Sequence, residues 1–186
     1  KLIEVMTGIL QDKLYIEQLN EAISLSEKTE IGKYAPFFSL PNIKGEKITR
    51  SSEDFKKKNL LINFWASWGD SISNHQSNTE LKEIYQKYKK NKHIAMLGIS
   101  LDMDKQEWQD AIKRDTLNWE QVCDFGGLNS EVAKQYAIKQ VPSNILLSAD
   151  GKILAKNLKG EQLKKKIEEV VTAAEEKEKQ DNKKKK

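Results

Sequence analysis

Few residues in this sequence could carry out nucleophilic or proton-transfer chemistry. There is one cysteine, Cys123, and there are two histidines, His75 and His93. A cysteine thiolate attacks disulfides, but a turnover of disulfide exchange needs a second thiol to resolve the mixed disulfide. No second cysteine exists, so no intramolecular disulfide forms, and cysteine usage does not set the redox compartment. Cys123 ends a strand-like run, Trp119 to Asp124. It therefore reads as a buried, unreactive thiol, and the charge of Asp124 beside it disfavours the thiolate. His75 could move a proton only with a nucleophile at hand, and none is near in sequence. No Cys, His, Asp or Glu spacing suits a metal ion. No metal, no cofactor and no catalytic residue is expected.

A second kind of chemistry is binding. Residues 62–72 read Ile-Asn-Phe-Trp-Ala-Ser-Trp-Gly-Asp-Ser-Ile. Asp70 or Ser71 suits the N-cap of a helix that follows. The positive helix end could receive an anion or a peptide, although an Asp70 cap would compete for the same N–H groups. Trp65 reads as a packing residue, while Trp68 is expected to be partly exposed. Trp108 and Trp119 read as core or core-edge.

The 186 residues hold 32 Lys and Arg against 28 Asp and Glu, a net charge of +4. The run Lys183 to Lys186 accounts for all of that excess. Nucleic-acid binding wants basic residues spread over a folded face. Here Lys165 and Lys166 sit beside Glu168 and Glu169, so no nucleic-acid partner is expected. No apolar run approaches the ~18 residues of a membrane span, and no secretory leader is visible.

These residues are positioned by a mixed series of elements. Ile3, Met6, Leu10, Leu14, Ile16, Leu19 and Ile23 recur at roughly helical spacing over 2–26, with Gly8 a weak point. Gly32 to Gly45, with Pro36 and Pro41, reads as an extended lead into a β-hairpin that turns at Asn42 to Gly45. Ser51 or Ser52 is suited to cap a short helix through Phe55. Leu60 to Trp65 and Ile94 to Leu101 are near-continuous apolar runs, the pattern of central strands covered on both faces. Asp70 to Lys90 reads as a helix with Leu81, Ile84, Tyr85 and Tyr88 on its inner face. Lys105 to Arg114 and Ser130 to Tyr136 read as shorter helices. An Asp150-Gly151 turn joins strands at 144–148 and 153–155. Glu161 to Ala174 closes the series as a helix. Residues 175–186 carry only charged and amide side chains and are expected to stay unfolded.

Four segments carry a family resemblance that covers about residues 32–172. They are Gly32-Lys33-Tyr34-Ala35-Pro36-Phe37-Phe38, Asn63 to Trp68, Tyr136 to Ser143, and Asp150-Gly151-Lys152-Ile153. In order and at compatible spacing, they resemble the thioredoxin-like proteins of the TlpA/ResA type, often grouped with the AhpC/TSA superfamily. The resemblance implies an α/β thioredoxin-like fold: a central mixed sheet flanked by helices, with an added N-terminal β-hairpin and N-terminal helix. It divides the chain into a helical extension at 1–31, the thioredoxin-like domain at 32–174 and a charged tail at 175–186. It further implies a cis peptide at Val141-Pro142 facing the 69–72 turn. In relatives, backbone beside this proline pairs with an extended substrate peptide.

The departures from the family pattern cluster at its reactive centre. Gly69 and Ile72 occupy the two cysteine positions of the F-W-A-S-W-C-x-x-C signature. His75, Ser77 and Ser143 stand where relatives often have glutamate, proline and threonine. The reading that follows is a redox-inactive domain of a bacterial cell-envelope or periplasmic protein. It would bind a protein or peptide partner at Trp68, Gly69, Asp70, Ile72, Val141 and Pro142. The alternative is a thiol-disulfide oxidoreductase working through Cys123. A third reading gives the N-terminal helix an assembly role. Any lipid anchor would belong upstream of Lys1.

Overall fold

The computed structural model describes residues 13–68 and 71–184. Strands β1 (Ser39–Pro41) and β2 (Lys47–Thr49) form a hairpin closed by Gly45, whose φ of +85° favours a residue without a side chain. Strands β3 (Asn59–Trp65), β4 (Ile94–Ser100), β5 (Glu120–Cys123), β6 (Ser143–Leu147) and β7 (Ile153–Lys156) form one sheet in the order β5-β4-β3-β6-β7. β3, β4 and β5 run parallel, while β6 and β7 run antiparallel to their neighbours. The mixed α/β arrangement implied by the family resemblance is present, including the N-terminal hairpin and helix.

All seven residues of β3 are buried, because helices cover one face and the hairpin side covers the other. Successive strand side chains point to opposite faces. Leu61, Trp65, Met96 and Leu146 therefore meet α2 (Ser71–Tyr88), α3 (Lys105–Arg114) and α5 (Gly160–Lys184). Leu81 and Ile84 from α2, Trp108 and Ala111 from α3, and Leu163, Ile167 and Val171 from α5 supply the opposing surface. Leu60, Ile62, Phe64, Leu97 and Ile99 face the other way, toward Phe38, Leu40, Phe55 and Tyr136, with Val132 of α4 (Glu131–Gln135). Each such aliphatic side chain contributes about 1.5–3 kcal/mol by leaving water. The Tyr136 hydroxyl donates to Pro36 O at 2.7 Å, pinning the leading segment to this layer.

Both sheet edges are covered, which blunts their unpaired backbone. Gly32 N–H donates to Ile153 O at 2.8 Å, at the start of β7, and Ala35 N–H to Gly151 O at 2.9 Å, in the turn before it. Asn42 forms an isolated bridge with Val122 on β5. The N-terminal helix is described as α1 (Lys13–Lys28), so the helical expectation for 2–12 falls outside the described residues. Leu19 and Ile23, expected on an apolar stripe, are exposed.

Two expectations require correction. Residues 51–55 form successive turns and no helix. Arg50 takes the place of a capped helix: its guanidinium donates to the carbonyls of Phe55, Lys58 (2.6 Å) and Ala149 (3.0 Å), which locks the turns to the β6–β7 loop. The tail expected to be unfolded from residue 175 instead continues α5 as far as Lys184. The reason is tertiary. Asn91 donates to Glu175 at 3.2 Å, Lys92 to Glu178 at 2.7 Å, and His93 Nε2 lies 3.2 Å from Glu178.

Candidate functional site

The parallel strands β3, β4 and β5 end at one edge of the sheet, where residues 66–68 follow β3. The last backbone rung is Leu101 N–H to Trp65 O, 2.8 Å. Trp65 is buried, and its indole N–H donates to Gln121 Oε1 at 3.0 Å. The Gln121 side chain reaches over Gly98, where a Cβ would come within 1.9 Å of Oε1. Glycine at 98 is thus what allows Gln121 to reach the indole. Three residues on, Trp68 is 51% exposed.

The pairing Phe64↔Ser143 is the final step of the β3–β6 register. One step further sets Pro142 beside Trp65, at the same edge as the 66–68 loop. The Val141–Pro142 peptide is cis, and both residues are half-buried. Ser143 Oγ donates to Gln140 O at 2.7 Å and fixes the turn before β6. Of the sequence-predicted binding residues, Trp68, Val141 and Pro142 come to this edge. Ile72 falls in the first turn of α2. Gly69 and Asp70 lie outside the described residues, so the N-cap assigned to Asp70 falls there too. A groove of about 600 Å³ continues from Pro142 along α2 and the start of α5, lined by Ser77, Glu80, Asn144, Leu158 and Lys164 among others.

Cys123 lies beneath this edge, fully buried. Its S–H donates to Asp102 O at 3.6 Å, and its sulfur accepts Phe125 N–H at 3.3 Å. Burial pushes the thiol up to about 11, with smaller contributions in the same direction from Asp102 and Asp124. The burial of Cys123 expected from the sequence is present. At neutral pH almost none of it is thiolate. Among the described residues, no group of three or more His, Cys, Asp or Glu side chains is placed to hold a metal ion.

One residue at the edge received no role from the sequence. Asp102 is fully buried. Its carboxylate accepts Ser67 N–H at 3.0 Å, Ser67 O–H at 2.6 Å and Ser100 O–H at 2.6 Å. A Ser-x-Asp pattern closing an apolar strand is the signal that could have pointed to it, since a carboxylate there must find donors when the strand end is buried.

The family model described as thioredoxin-like matches residues 57–153. Among solved structures, the C-terminal domain of a putative thiol-disulfide oxidoreductase from Bacteroides thetaiotaomicron is 79% identical. The match covers 78% of this chain and 99% of that one, with a TM-score of 0.77. A thiol-disulfide oxidoreductase from Bacteroides fragilis is 59% identical over 74% of this chain and 99% of that one, with a TM-score of 0.72. The thiol-disulfide oxidoreductase ResA of Bacillus cereus is 33% identical over 146 residues, 78% of this chain and 79% of that protein.

Proposed function

Because this chain belongs to the thioredoxin-like family, we propose that it is a redox-inactive member that docks an extended segment of a partner protein. The docking face is formed by Trp68, Gly69, Asp70, Ile72, Val141 and Pro142. One observation carries the reading. In sequence, Gly69 and Ile72 stand where the family has its two cysteines, while the chain's one thiol is buried. A half-exposed tryptophan at the same sheet edge as a half-buried Val-Pro pair is apolar surface suited to strand addition. The family resemblance supports a location at the cell envelope, on the periplasmic side. Among the described residues, no helix is long and apolar enough to cross a membrane.

The relatives' names favour a second reading, a thiol-disulfide oxidoreductase. It would have to run on Cys123, and burial, high proton affinity and the lack of a resolving thiol all oppose it.

The docking half is tested with carboxymethylated insulin B chain, an unfolded polypeptide with no thiol to react. Wild type is expected to bind it, and Trp68→Ala and Ile72→Glu are expected to weaken binding about tenfold each. An acidic residue in the first turn of α2 is favoured by the helix dipole, so Ile72→Glu should keep its melting temperature. Wild-type affinity in both variants would remove the face from the proposal.

A further inference from the structure

We propose that Asp102 is the positioning residue of the docking face: it fixes the path of the chain from β3 to Trp68, and so sets how Trp68 is presented. The role in binding rests on the docking reading above; the role in presenting Trp68 does not.

Beyond the rung from Leu101 N–H to Trp65 O, Ser67 is held through a side chain of the neighbouring strand's loop. Asp102 Oδ1 takes both the N–H and the O–H of Ser67, at 3.0 and 2.6 Å. Its other oxygen takes the Ser100 hydroxyl at 2.6 Å and lies 3.2 Å from Ser67 N. Asp102 is itself held in place, since its N–H donates back to Ser100 Oγ at 3.0 Å. Its carbonyl accepts the Cys123 thiol at 3.6 Å. One residue therefore ties together the ends of β3, β4 and β5.

The residues directly after the two tied positions are apolar and project outward: Trp68 is 51% exposed and Met103 is 74% exposed. Met103 lies across Gly127, where a Cβ would come within 3.1 Å of its side chain. The tie thus sets the spacing of two outward apolar side chains on the same edge. Burying a carboxylate is costly, and a well-packed apolar residue of similar volume often gives equal or greater stability. Short, charge-assisted hydrogen bonds from three donors offset that cost and impose a geometry. This combination points to position, more than stability, as what Asp102 contributes.

Trp65, Trp108 and Trp119 are 2%, 1% and 6% exposed, so acrylamide quenching of tryptophan fluorescence reads Trp68 almost alone. The experiment compares the full chain with Asp102→Ala, Asp102→Asn and Ser67→Ala, by quenching, melting temperature and B-chain affinity. Asp102→Ala is expected to change the quenching constant and to weaken B-chain binding about tenfold. Asp102→Asn should fall between it and wild type, because one carbonyl oxygen remains to accept from Ser67. Ser67→Ala should move both readouts the same way by less. A merely stabilising role would lower the melting temperature of each variant and leave quenching and affinity at wild-type values, which would overturn the proposal. If Asp102→Ala does not fold, Asp102→Asn and Ser67→Ala decide it. If wild type does not bind the B chain, the docking reading fails and quenching alone judges Asp102.

Discussion

Two places in this molecule resemble half of a thiol site. The strand-end edge at Trp68 and Pro142 has access to solvent but no thiol. Cys123, on the adjoining strand end, has a thiol but no access. Disulfide exchange needs an accessible thiolate and a second thiol within reach, and neither place meets both conditions. The difference teaches that a scaffold and its chemistry are separable. The packing that holds β3, Trp65 and the Val141–Pro142 turn in place rests on apolar contacts and backbone pairing among residues outside the 69–72 segment. On the proposed reading, docking outlives the dithiol for that reason.

The comparison can be broken most directly at Cys123. With its thiol at about 11, alkylation by iodoacetamide at pH 8 should be at least a hundredfold slower in the folded chain than in denaturant, where the thiol returns to ~8.5. A folded-state rate within about tenfold of the denatured rate would mean that the two places are not separate.

The packing between β4 and β5, the strand that carries Cys123, can be weakened at Gly98. Ala at this position drives a methyl against Gln121 Oε1 and takes the acceptor away from the Trp65 indole. Gly98→Ala is expected to cost about 2–4 kcal/mol in denaturant unfolding. It should also speed alkylation of Cys123. Wild-type stability in this variant would mean that Gln121 has another place to go.

A smaller effect appears in alkaline solution. Unfolding releases the Cys123 thiol from a raised proton affinity, so the unfolded chain loses its proton first as pH rises. The stabilisation is therefore complete below the unfolded thiol's range and declines from pH 9 toward 11. Cys123→Ser should flatten that decline by roughly 2–3 kcal/mol. Tyr136, whose phenol burial raises further, sustains the remaining loss above the ordinary tyrosine range.

Much of the fold was legible because it is written locally. The apolar runs at 60–65 and 94–101, the stripe through Leu81 and Ile84, and the Asp150-Gly151 turn each encode their element within a few residues. What escaped is held by partners far away in sequence. The turns at 51–55 depend on Arg50 reaching Ala149, and the helix past Ala174 depends on Asn91, Lys92 and His93. The candidate site divides in the same way. Trp68 and Pro142 could be placed from their segments. The Ser-x-Asp pattern marks Asp102 in the sequence, but its tie to Ser67 appears only when β3 and β4 lie side by side.

On the proposed reading the scaffold is intact and lacks only the dithiol. Dithiothreitol-driven insulin reduction, with wild type beside Gly69→Cys/Ile72→Cys, tests this most directly. No turnover above background is expected from wild type, and clear turnover from the double variant. Turnover by wild type that disappears in Cys123→Ser would contradict it and make this chain an enzyme through its buried thiol.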